Sequence, residues 1–173
     1  VPVNVLFLLD NSLSMKRQII PGDGMYNPWD LVELDSGDLV IAQQKKMGLI
    51  KINYGTATRD GTFGNRGFFK GTRRDGNCAN QDSRLSDVNH LGIDRVDTND
   101  NDDDLIYAMD KRRKKIVVLN VSGECVDVIK LGFKPRSMTI RTFNNEAHLF
   151  AGGLVKKNKP SHYKFWTTNL TKN

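Results

Sequence analysis

Short apolar runs, each closed by a turn of Asp, Asn, Gly or Ser, recur along most of this chain and restrict it to an all-β fold. Pro28-Trp-Asp-Leu-Val32 leads through Asp35-Ser-Gly-Asp38 to Leu39-Val-Ile-Ala42, and Lys45-Lys-Met-Gly48 turns into Leu49-Ile-Lys-Ile52. A second series has His90-Leu-Gly-Ile93, Leu105-Ile-Tyr-Ala108, Lys115-Ile-Val-Val-Leu119 and Val126-Asp-Val-Ile129. A third has Pro135-Arg-Ser-Met-Thr-Ile140, His148-Leu-Phe-Ala151 and Tyr163-Lys-Phe-Trp166. Runs of this length bounded by turn residues read as strands. No segment keeps apolar residues at helical spacing for three turns with caps.

The strands are also periodic. Ala42, Ala108 and Ala151 take the same place in the three series, where a small residue suits a crowded inner strand. The second and third series lie 43 residues apart, the length of one four-stranded propeller blade. The first and second are wider apart, and residues 57–86, rich in Gly, Asn, Arg and Asp, read as an inserted loop holding Cys78.

Composition excludes little but sharpens this. At 173 residues with 38% hydrophobic and 27% charged side chains, the chain is globular in character. The net charge of +6 raises nucleic acid as a partner. The basic clusters, Lys45-Lys46, Arg73-Arg74, Lys111–Lys115 and Lys156-Lys157, have no interleaved aromatic residues, so they read as solvated hairpin tips and not as a nucleic-acid groove. The apolar run Val5–Leu9 is too short to span a bilayer, and no basic segment followed by an apolar one opens the chain as a secretory leader would. The start at Val1 fits a processed chain or a piece of a longer one. Cys78 and Cys125 have no metal-ligand spacing. They form either one disulfide or two separate thiols, and a disulfide needs their Cα atoms within about 7 Å.

Gly22-Asp-Gly-Met-Tyr-Asn-Pro28, then Asp30-Leu-Val32 and Asp35-Ser-Gly-Asp-Leu-Val-Ile-Ala42, resembles an NHL repeat. In that family a Gly-x-Gly turn, an aromatic-x-Pro step, an Asp-x-x-Gly turn and a Val-Ala pair follow in this order. The closing Asp of the family is Gln43 here. The resemblance implies a partial β-propeller of about three four-stranded blades over residues 21–173. Such propellers are expected to close with about six blades, so the rest belongs to a longer chain or to another subunit.

Residues 1–20 stand apart. Asn4-Val-Leu-Phe-Leu-Leu-Asp-Asn-Ser-Leu-Ser-Met15 resembles the metal-site strand of a von Willebrand factor A domain, in particular that of type IV pilus-tip adhesins of the PilC/PilY kind. Asp10, Ser12 and Ser14 match the motif, while Leu13 replaces its usual Gly. The resemblance implies a split A-type domain with the propeller inserted after its first strand. The same residues also fit the last hairpin of a preceding blade. Val117-Val-Leu-Asn-Val-Ser-Gly-Glu-Cys-Val126 has that pattern in the second series.

The expected function is a non-enzymatic, extracellular or cell-surface interaction module with a protein or carbohydrate ligand. In a pilus-associated adhesin, Asp10, Ser12 and Ser14 would hold Mg²⁺, a hard cation suited to oxygen ligands. A second loop, with Asp97, Asn99, Asn101 and Asp103 at alternating positions, invites Ca²⁺ but lacks the Gly and distal Glu of an EF-hand, and a solvated hairpin loop is the plainer reading. The alternatives are a metal-free NHL-type scaffold and a propeller hydrolase or lyase. The latter is poorly served by Gln43, Asp110 and Gly152 at the inner strand ends. His90, His148 and His162 have no metal-ligand spacing, and no serine sits in a nucleophile elbow.

Overall fold

The computed structural model describes residues 28–43, 48–73, 78, 80–94, 104–143, 146–154 and 163–169. It is all-β, with three antiparallel sheets, each a meander in chain order. The first contains β1 (Pro28–Glu33), β2 (Leu39–Gln43), β3 (Gly48–Asn53) and the two-residue β4 (Thr58–Arg59). The second contains β5 (Val88–Asp94), β6 (Leu105–Asp110), β7 (Lys115–Leu119) and β8 (Cys125–Lys130). The third has three strands among the described residues: β9 (Lys134–Phe143), β10 (Glu146–Leu154) and β11 (Tyr163–Asn169). Among the described residues these sheets form no closed ring.

The sheets stack face to face. Because side chains alternate across a strand, β6 and β7 supply two apolar faces. Ile106, Ala108, Val117 and Leu119 face the first sheet and meet Val40, Ala42 and Leu49. Tyr107, Met109, Ile116 and Val118 face the third and meet Leu149 and Ala151. Every residue of β7 is buried, as expected for a strand covered on both sides. The opening strands lie side by side, β5 packing against β1 on one flank and β9 on the other.

A bulge interrupts the first strand pair of every sheet. Pairing skips from Pro28↔Gln43 to Asp30↔Ala42, from Val88↔Asp110 to His90↔Met109, and from Pro135↔Gly153 to Ser137↔Gly152. Aligned on this bulge, Ala108 and Ala151 are equivalent, but their counterpart in the first sheet is Ile41. Ala42 therefore does not occupy their place, as its sequence context suggests. It faces the following sheet, whereas Ala108 and Ala151 face the preceding one. Counted from the bulge the sheets face alike; the alanine of the first copy lies one residue nearer the bulge, which puts it on the opposite face of its strand. The same alignment moves the inner end of β10 from Gly152 to Gly153.

The insertion at residues 57–86 is more than a surface loop. Phe63, Phe69, Cys78 and Leu85 are buried in the core between the first two sheets. Phe69 bridges Leu49 of β3, and the Gly64 amide donates to the Ser122 carbonyl in the β7–β8 turn (2.8 Å). Gly123 in that turn has φ +77°, and a Cβ there would lie 2.7 Å from the Gly64 nitrogen, so only glycine fits. Cys78 and Cys125 are joined in a disulfide with Cα atoms 5.5 Å apart, tying the insertion to the start of β8.

Candidate functional site

The site is built around the end of β6. Asp110 is fully buried, and its carboxylate is satisfied by backbone donors from two segments. The Ser86 amide donates to Oδ2 (2.6 Å) and the Arg113 amide to Oδ1 (2.8 Å). One side chain thus fastens the β6–β7 turn to the chain entering β5, and the Lys111 amide donating to the Asp87 carbonyl reinforces this (2.9 Å).

A second carboxylate organises the cations. Asp82 accepts from Arg84 Nε (2.9 Å) and Nη2 (2.8 Å), and Arg113 Nη1 lies 3.4 Å away. Lys115 Nζ is 3.8 Å from Asp82 Oδ1 and donates to the Asp82 carbonyl. The Arg84 hydrogen bond is the main reason the Asp82 carboxyl is held well below the usual range. Burial opposes it, and the Arg84 amide and the charges of Lys115 and Arg84 add to it. Burial pushes the Lys115 amine down to about 8 against the attraction of Asp82 and Asp110.

These ties form the walls of a cleft of about 540 Å³, lined by Lys70, Arg84, Arg112 and Arg113 with Gly71, Leu85 and Ser86. Its far wall is the strap 70–72, which pairs with 83–85 through Leu85 N–H to Lys70 O (2.9 Å) and Ser83 N–H to Thr72 O (3.0 Å). Gly71 has φ +75°, and a Cβ would sit 2.2 Å from the Ser83 carbonyl oxygen, so the strap lies flat against its neighbour. Among the described residues, Lys70 and Arg112 have no ion pair or side-chain hydrogen bond, and no carboxylate lines the cleft. A second cleft of about 480 Å³ shares Lys70 and Gly71 with the first and reaches to Phe68, Glu124 and Cys125.

The first two sheets are joined elsewhere by carboxylates. Asp30 on β1 accepts from the Leu91 amide of β5 (2.8 Å), with His90 Nδ1 at 3.5 Å. Burial raises the Asp30 carboxyl, but hydrogen bonds from His90 and the Leu91 and Leu31 amides leave it below its ordinary value. Asp104 is buried and accepts from the Asp35 amide (2.8 Å). His148 lies 3.6 Å from Glu146.

Of the residues singled out in the sequence, Asp10, Ser12 and Ser14 lie outside the described residues, as do Asp97, Asn99, Asn101, Asp103 and His162. Among the described residues no three His, Cys, Asp or Glu side chains converge as a metal site. Lys111–Lys114 form the turn read from sequence, but Lys115 is buried and not a solvated tip, because it opens β7 between two sheets. The roles of Asp82 and Asp110 were not read from sequence. The signal for Asp110 was its position at the end of an inner strand, after Leu105-Ile-Tyr-Ala-Met109. Asp82 carries no such signal. No protein-family model and no curated protein matches this chain.

Proposed function

We propose that this chain is a segment of an NHL-like β-propeller serving as a non-enzymatic interaction module at a cell surface, in a pilus-associated adhesin or a similar assembly. The observation that carries this reading is the common plan of the three sheets. Each is a meander bulged at the same point of its first strand pair, and their opening strands lie side by side. Blades of one propeller are related in this way. The Cys78–Cys125 bond supports an exported chain, since disulfides persist in oxidising compartments.

The test is immunolabelling of source cells with antibody raised against the folded protein. Label on intact cells supports the reading. Label only after permeabilisation overturns it. The metal-dependent part is tested by titrating Mg²⁺ into the protein. One bound ion, lost in Asp10→Ala with the fold retained, supports the A-type site. Equal heats for parent and variant leave residues 3–15 as a blade hairpin.

A further inference from the structure

We propose that the cleft between the β6–β7 turn and the strap 70–72 binds the carboxylate or sulfate groups of an acidic polysaccharide. This rests on the surface-module reading and gives that module a ligand class.

Four cationic residues line it with no carboxylate among the lining, and the one carboxylate beside it, Asp82, offsets only part of their charge. Two are positioned and two are uncommitted. Asp82 holds the Arg84 and Arg113 guanidinium groups in place, so little side-chain freedom is lost when an oxyanion arrives. Lys70 and Arg112 keep their donors, among the described residues, for a ligand. The Arg84 fork is taken by Asp82, so the fork that matches a two-oxygen anion such as carboxylate or sulfate is that of Arg112, with Lys70 as a point charge beside it.

The walls do not collapse onto one another. Asp110 pins the Ser86 and Arg113 amides from beneath, and the strap is hydrogen-bonded to 83–85, with Gly71 in close backbone contact with Ser83. An adjoining cleft shares Lys70 and Gly71 in its lining and carries one carboxylate, Glu124, at its far side, so a polymer longer than one sugar has a second recess beside the basic one. Single-stranded nucleic acid needs aromatic platforms for its bases. The basic lobe has none, and in the other lobe the Phe68 ring lies against Gly48.

The experiment measures binding of the purified chain to heparin (sulfated), polygalacturonate (carboxylated), neutral dextran and oligo-dT at physiological salt. Two variants are compared, Lys70→Ser with Arg112→Ser in the cleft, and Lys134→Ser with Arg141→Ser on β9. All four residues are exposed and both pairs remove the same charge, so thermal melts are expected to match the parent. The expected result is binding of one or both acidic glycans and not of dextran. The cleft pair weakens it about tenfold and the β9 pair less than about twofold, as loss of two screened contacts implies. Which glycan binds tells sulfate from carboxylate. The proposal is overturned if neither acidic glycan binds, if both variants weaken binding equally, or if oligo-dT binds more tightly than either glycan. Such a failure leaves the surface location standing, since labelling of cells reads that separately.

Discussion

At the scale of single residues, buried carboxylates do the joining in this molecule. Asp110 accepts two backbone amides from segments 24 and 3 residues away, in a place where water cannot replace it. Asp110→Ala leaves the Ser86 and Arg113 amides unpaired and is expected to cost about 2–3 kcal/mol, read from urea unfolding. Asp60 illustrates a different case. Its Oδ2 lies 2.8 Å from Lys51 Nζ, and Thr62 donates to Oδ1 through both its amide and its hydroxyl. Burial opposes ionisation, but the Lys51 and Thr62 hydrogen bonds bring the Asp60 carboxyl down to about 2. A folded-state value below that of the unfolded chain means stability that is present above the ordinary carboxylate value and lost as pH falls toward 2. Asp60→Asn is therefore expected to be less stable than the parent at pH 7 by about 1 kcal/mol, after solvent screening, with the two melting curves converging near pH 2.

At the scale of elements, strands and turns were legible because apolar alternation and turn residues are local signals. The ten runs read between residues 28 and 166 all lie in strands, the strand read within residues 4–15 lies outside the described residues, and β4, only two residues long, was missed. The register of the first sheet was not legible. A bulge shifts facing by one residue, and nothing in Leu39-Val-Ile-Ala-Gln43 shows that the interval to the bulge is shorter than in Leu105–Asp110. The basic cleft was hidden for another reason. Its parts come from positions 70, 84, 112 and 113, which no spacing rule connects, and its organiser Asp82 sits in the insertion read as a loop. That insertion is held by Phe63, Phe69 and the disulfide. Replacing Cys78 and Cys125 together by Ala is expected to cost about 2–4 kcal/mol, given the chain length the bond closes. Hydrogen exchange should rise first at the Phe69 and Leu85 amides, which bond within the insertion and its contact with β3.

At the scale of the whole molecule, the second sheet acts as a wall shared by two cores. Ile106 points into one core and Ile116 into the other, both with no exposed surface. Each Ile→Ala change is expected to destabilise by about 2–5 kcal/mol in denaturant melts. Because they face different cores, the double variant should come close to the sum of the two. The meander order of the sheets also sets a sequence of events during synthesis. Each sheet pairs strands that are neighbours along the chain, so it can assemble soon after its last strand leaves the ribosome. The insertion is the exception. Its Cys78 is made 47 residues before its partner at the head of β8. Until Cys125 is made that thiol has no native mate, whereas the groove between the strap and the β6–β7 turn has all its lining residues once Arg113 is in place. In a nascent chain the groove can therefore be lined before the bond that ties down its insertion has formed, and Cys78 stays open to a wrong partner for the whole of that interval.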